Sequence, residues 1–257
     1  MQATARRLTA EPLAWDSAHF GVPVCRIEID GDASGLPDAL ARAEGDGLAW
    51  IYVFTPPDFA MPAEWLERFD GLKVDTRVVF RREFSDGEPV EPESHADSVI
   101  VAEAPVGRPS PALVELATAA GAFSRFGVDP RIPEDAFRRL YEIWITRSCL
   151  HETADAVLTA EDRGAPGVPM GLMTIAARDG AATIGLVAVS PAARRRGVGR
   201  AMMRRAHGWL AARGIRRASV TTQEANEPAC ALYRACGYQA GHRESIYHFR
   251  PRSAARS

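Results

Sequence analysis

The sequence predicts an α/β (α+β) fold, a mixed sheet flanked by helices, with a smaller α/β domain at the N-terminal end. Two observations carry this prediction. Strand-like and helical stretches alternate along the chain, first as β-α-β-α-β and then as β-α-α-β-β-β-α-β-α-β-β, and such alternation lays helices against a sheet. In addition, residues 184–200 set a strand, a glycine-containing loop and a helix start in immediate succession.

Taken in order, Glu11 to Gly21 leads into a strand-like stretch from Val22 to Ile29. A helix is expected from about Pro37 to Ala43, and a buried strand from Leu48 to Phe54, which Pro56-Pro57 ends. A short helix from Ala63 to Phe69 leads to a strand from Leu72 to Phe80. There Leu72, Val74, Val78 and Phe80 alternate with Lys73, Asp75 and Arg77, the period of a half-buried strand. Residues 85–97 contain prolines, acids and small polar groups without periodicity, which reads as a linker. The predicted organisation is therefore an N-terminal domain over 1–84, a linker over 85–97 and a second domain over 98–257.

The second domain opens with a strand from Val99 to Ala102. Ser110-Pro111 is a helix start, a capping hydroxyl followed by proline at the first helical position. That helix runs to about Phe123 through Leu113, Leu116 and Ala117. After a loop over 124–133, a helix from Glu134 to Arg147 carries Phe137, Leu140, Tyr141 and Trp144 at helical spacing. Strands are expected over Ala154 to Leu158, Gly171 to Ala176 and Ala182 to Val189. Beyond a long helix come a strand from Arg217 to Thr222, a short helix from Glu227 to Cys236, and a closing strand pair between Tyr238 and Phe249.

Composition narrows the function classes. The chain has 257 residues, 46% of them hydrophobic and 25% charged, the proportions of an ordinary soluble globular protein. A formal net charge of −2 argues against a nucleic-acid partner, which usually meets a basic excess. No apolar run approaches the roughly 18 to 20 residues that span a bilayer, and the N-terminus lacks the apolar core of a secretory signal. The four cysteines, Cys25, Cys149, Cys230 and Cys236, lack metal-ligand spacing, so reduced, packed thiols in the cytoplasm and no metal are expected.

The central stretch reads as a device for holding an anion. Leu186 to Val189 form a short apolar run that Ser190 and Pro191 stop. Arg194-Arg195-Arg196-Gly197-Val198-Gly199 follows, and then Val198, Met202, Ala206, Trp209 and Leu210 recur at helical spacing up to Gly214. The first turn of a helix offers unpaired N–H groups and partial positive charge. Gly197 and Gly199 remove side chains from that region, and the arginines add charge. The loop is neither a P-loop, which needs Gly-Lys-Ser/Thr, nor a dinucleotide fingerprint, which needs a glycine where Met202 stands.

Val189-Ser190-Pro191 with Arg194 to Gly199 resembles the acetyl-CoA signature of the GNAT N-acetyltransferases, Arg/Gln-x-x-Gly-x-Gly/Ala after a strand ending in Val-x-Pro. The resemblance implies the GNAT acyl-CoA N-acyltransferase fold, with acetyl-CoA as co-substrate. It implies that Arg194, Arg195, Arg196, Gly197, Val198, Gly199 and Arg200 cradle the pyrophosphate. It also implies that backbone groups of Val187, Ala188 and Val189 pair with the pantetheine arm where the strand splays from its neighbour. Asn226 to Tyr238 resembles the family's Asn-x-x-Ala-x-x-x-Tyr-x-x-x-Gly-Phe/Tyr segment, which implies that Asn226 meets the CoA arm. Tyr233 would then be the proton donor to the departing thiolate.

Trp15-Asp-Ser-Ala-His-Phe-Gly21 resembles the N-terminal motif of the dTDP-fucosamine acetyltransferases, two-domain members of that family. Ser124-Arg125-Phe126, the Tyr141-to-Trp144 helix and Tyr247-His-Phe-Arg250 are similar to theirs as well. This implies an acceptor amine on a nucleotide sugar, an N-terminal domain that helps build the acceptor pocket, Asp75 as the base, and Arg125 as the cation for the nucleotide's pyrophosphate. His151 and His242 are rivals for the base. A homodimer is compatible with the sequence. The competing readings are a GNAT acting on a protein N-terminus, lysine, polyamine or antibiotic, and a non-catalytic acyl-CoA-binding module.

Overall fold

The computed structural model describes residues 8–85 and 98–250, so the predicted linker lies, apart from Ser85, outside the described residues. By contact the chain forms two units, each discontinuous in sequence. The first is Met1–Arg77, Ser124–Ala136 and Arg243–Ser257, and the second is Val78–Phe123 and Phe137–His242.

In the first unit, β1 (Glu11–Pro12) pairs antiparallel with β2 (Val24–Glu28), and β2 lies parallel to β3 (Trp50–Thr55). β3 pairs antiparallel with Ser245–Phe249 of β10 (Gln239–Phe249), and β4 (Gly71–Glu83) follows β10 in the strand order. Every residue of β3 is buried, as its unbroken apolar run requires of a strand covered on both faces. Leu36, Ala39, Leu40 and Ala43 form the buried stripe of α2 (Leu36–Gly45), spaced three and four apart. They pack on Ile27, Ile51, Val53, Phe69 and Phe249. Two further helices are α1 (Ala14–Phe20), which Gly21 ends in the left-handed region, and α3 (Ala63–Arg68).

In the second unit the strand order from β4 onward is β9 (Arg217–Gln223), β8 (Ala181–Val189), β7 (Ala165–Arg178), β6 (Ala156–Asp162) and β5 (Val99–Glu103). The capping at Ser110 is as expected: its Oγ accepts from Leu113 N at 3.3 Å at the start of α4 (Pro111–Ala120). α6 (Glu134–Cys149) follows, then α7 (Val198–Ala211) and α8 (Glu227–Ala235). The buried face of α7, Val198, Met202, Met203, Ala206, Trp209 and Leu210, contains every position its periodicity predicted. These side chains join Leu158, Met173, Ile175, Ile184 and Val220 in one core.

The structure corrects several details of the predicted elements. The 124–133 loop contains a helical turn, α5 (Arg125–Val128), which Ser124 caps by accepting from Gly127 N at 3.2 Å. β7 begins at Ala165, ahead of the predicted Gly171, because register shifts at Ala160/Glu161 and Glu161/Asp162 carry Pro166 and Pro169 along its pairing with β6. The closing strand pair is one strand, β10. Its polar start, with Gly241, is part of that strand rather than a break between two.

Candidate active site

The cradle in the second unit begins with a change of pairing in β8. Its parallel register with β9 runs from Ala181↔Arg217 to Ile184↔Val220, and β8 then continues through Val187, Ala188 and Val189. On the other side these three stay paired with Met173, Leu172 and Gly171 of β7. A register shift between Met173 and Ile175 marks a bulge at the point of departure. Gly185 is needed there, since a Cβ would stand 2.6 Å from Thr174 Oγ1. That hydroxyl accepts the Leu186 N–H at 2.9 Å. The stretch from Val187 to Val189 thus has the one-sided pairing that would let its backbone meet an extended ligand.

The loop after β8 turns twice through the left-handed region, at Arg195 (φ +62°) and Gly197 (φ +81°), immediately before α7. Such turns let successive backbone N–H groups converge on an anion, and the 14-residue α7 points its N-terminus at the same place. Arg194, Arg195, Arg196 and Arg200 are exposed around it. Arg194 donates from Nε to the Val189 carbonyl at 3.3 Å, and Arg196 pairs with Asp162, which holds that carboxyl below its ordinary pKa. Gly199 is also required by packing. A Cβ on it would lie 3.0 Å from Cδ2 of Leu232, so this glycine lets α7 approach α8.

Asn226 caps α8, its Oδ1 accepting from Ala229 N at 3.3 Å, which leaves the side-chain amide nitrogen for any ligand contact. Tyr233, on the same helix, is 3% exposed. Its ring centroid lies 5.7 Å from that of Phe80 and 6.3 Å from that of Tyr238. Burial raises the phenol's pKa, so Tyr233 is a protonated group at neutral pH.

The first unit assembles a separate cluster. The Arg125 guanidinium carbon lies 4.5 Å from the ring centres of both Tyr52 and Phe126, and 5.5 Å from that of Phe54. The nearest carboxylate oxygen, on Asp16, is 3.9 Å away. No hydrogen bond reaches the guanidinium among the described residues, and the side chain is 20% exposed. Burial lowers its pKa, while Asp16 and Asp75 act in the opposite direction. Two residues singled out from the sequence, Arg125 and Asp75, therefore lie in each other's field. Arg77, two positions beyond Asp75, stacks 5.6 Å from the Phe54 centroid and pairs with Glu244.

Comparison with known proteins now identifies the lineage. The pattern of the Acetyltransferase (GNAT) family matches residues 121–238. A dTDP-fucosamine acetyltransferase of Escherichia coli O6:H1 is 32% identical over 231 residues, covering 88% of this chain and 92% of that protein. The chain belongs to the GNAT acetyltransferase family. Solved structures agree on the fold. A functionally unknown conserved protein from Staphylococcus epidermidis superposes with a TM-score of 0.66 at 11% identity, covering 98% of this chain and 94% of that one. A GCN5-related N-acetyltransferase from Sphaerobacter thermophilus gives 0.58 at 16% identity, covering 95% and 78%.

This GNAT N-acetyltransferase also contains groups that motif reading passed over. His248, on β10, is 2% exposed, and its Nδ1 lies 2.8 Å from Asp129 Oδ2. Arg131 grips the same carboxylate from Nε at 2.8 Å and Nη2 at 2.9 Å. His248 Nε2 is buried without a hydrogen-bond partner among the described residues. Burial pushes the imidazole down to about 4, although the Asp129 hydrogen bond favours the charged form. The ring is therefore neutral, with Nδ1–H donating to Asp129. The rival histidines His151 and His242 are both exposed. No disulfide joins any of the four cysteines, and burial raises the thiol of Cys25 to about 12. Among the described residues no group of three His, Cys, Asp or Glu side chains could hold a metal ion, and no helix is long and apolar enough to cross a membrane.

Proposed function

We propose that this GNAT enzyme uses acetyl-CoA to acetylate the amine of a nucleotide-linked amino-deoxysugar. The observation that carries the reading is Arg125. A guanidinium that no hydrogen bond reaches among the described residues, lying on Tyr52 and Phe126 with Asp16 3.9 Å away, is an anion receptor whose planar donors match a phosphate. The relative that matches most of the chain is named for a dTDP-linked sugar.

In this reading the loop from Arg194 to Gly199 and Arg200 hold the CoA pyrophosphate, while Val187, Ala188 and Val189 pair with the pantetheine arm. Asn226 offers its amide nitrogen to the same arm. Asp75, through a water, takes a proton from the ammonium, and the neutral nitrogen attacks the thioester carbon. The carbon–sulfur bond breaks, Tyr233 gives its proton to the departing thiolate, and the nitrogen's second proton passes through water to the resulting phenolate, leaving an amide, free CoA and a reprotonated Tyr233. A tyrosine whose pKa is raised keeps its proton until the thiolate forms.

The test is CoA-thiol release from acetyl-CoA over a panel of acceptors: a dTDP-linked amino sugar, a protein N-terminal peptide, a lysine peptide, a polyamine and an aminoglycoside. The proposal expects turnover to be concentrated on the nucleotide sugar. Preference for a peptide or polyamine would overturn the acceptor assignment, and release with no acceptor would overturn the transferase reading.

A further inference from the structure

We infer that Trp15 is a stacking platform for the base of a nucleoside diphosphate, an inference that rests on the nucleotide-sugar reading above. Trp15 is 47% exposed, on a helix that has no buried residue. One face of its indole lies parallel to the His19 imidazole, with centroids 5.0 Å apart and planes 6° apart. The other face meets no ring and no cation among the described residues.

The platform is braced from behind. His19 Nε2 is 2.9 Å from the Ala136 carbonyl oxygen, and its ring meets Phe20 edge-on at 4.8 Å. Phe20 in turn packs on Trp50 at 4.7 Å and on Phe126 at 5.9 Å. Phe126 is one of the two rings nearest the Arg125 guanidinium. A chain of aromatic contacts therefore runs from the exposed indole to the ring beneath the Arg125 guanidinium.

The two ends are also linked through the backbone. Asp16 follows Trp15, and its carboxylate is the one 3.9 Å from Arg125. Adjacent residues of α1 therefore carry the exposed indole and the carboxylate that faces Arg125. A flat exposed π-face, joined through Asp16 to a planar cation that no hydrogen bond engages among the described residues, is complementary to a base joined to a diphosphate. Stacking tolerates any base, so Trp15 would confer affinity for a nucleotide without choosing which one.

Calorimetric titration with dTDP and, separately, with inorganic pyrophosphate tests this. Trp15→Ala should weaken dTDP about ten- to hundred-fold, the worth of one base stack, while Trp15→Phe keeps most of the affinity. Neither change should alter pyrophosphate binding. Unchanged dTDP affinity in Trp15→Ala overturns the platform and leaves the nucleotide-sugar reading in place. An equal loss for dTDP and pyrophosphate also overturns it, since that pattern belongs to a structural role. Wild-type enzyme that binds no dTDP refutes the nucleotide-sugar reading, and the platform with it.

Discussion

Gly185 and Thr174 are mutually dependent: the threonine Oγ1 occupies the space 2.6 Å from where a Cβ at position 185 would stand. It uses that closeness to accept the Leu186 N–H. The pair fixes the bulge just where β8 continues beyond its pairing with β9. Gly185→Ala should lower unfolding stability by about 1–3 kcal/mol through overpacking and weaken acetyl-CoA binding. Thr174→Val, which strands the Leu186 N–H, should cost a similar amount, about 1–3 kcal/mol. Urea unfolding checks both, and unchanged midpoints would show that the bulge does not depend on this contact.

Tyr233 separates chemistry from packing. Phenylalanine keeps the contacts with Phe80 and Tyr238 and removes only the proton. Tyr233→Phe should lower kcat about 10²- to 10⁴-fold while acetyl-CoA affinity stays within a factor of two or so. Single-turnover kinetics with near wild-type rates would remove the residue from the mechanism.

The cradle should respond to charge in graded fashion. Arg194→Ala should weaken acetyl-CoA only several-fold, because the backbone donors of the loop and of α7 remain. Wild-type affinity should decline as salt rises, since the arginines are exposed to screening ions. An affinity independent of both would place the pyrophosphate elsewhere.

His248 predicts an acid-sensitive fold. Its folded pKa of about 4 lies below the ordinary value near 6.5, so the unfolded chain takes up the proton first. The resulting stability is complete above about pH 6.5 and is lost as pH falls through 4. The loss amounts to about 3 kcal/mol by linkage. His248→Asn can still donate to Asp129 but does not titrate, so its stability should fall less between pH 7 and 4. Parallel pH profiles for variant and wild type would contradict the assignment.

The second unit was legible in the sequence where local chemistry dictates structure. The apolar spacing of Val198 to Leu210 gave α7, and Ser110-Pro111 gave the start of α4. The loop at Arg194 to Gly199 announced itself by composition, but the packing contact of Gly199 did not, because its neighbour Leu232 is 33 positions away. The same distance problem hid His248 and Asp129, which are 119 residues apart, and the aromatic floor beneath Arg125, whose rings come from β3 and α5. The helical character of α1 was obscured because it buries no apolar stripe. Arg125 itself was identified only through a short motif, and its seat on the Tyr52 and Phe126 rings is visible only in three dimensions.

The most direct measurement compares kcat/KM for a dTDP-linked amino sugar with kcat/KM for the same sugar lacking its nucleotide, in wild type and in Arg125→Ala. The account predicts strong preference for the nucleotide-linked acceptor in wild type. Arg125→Ala should raise KM for that acceptor while KM for acetyl-CoA barely moves. Equal turnover of the two acceptors by wild type, or an Arg125→Ala enzyme with unchanged KM for the nucleotide sugar, would contradict it.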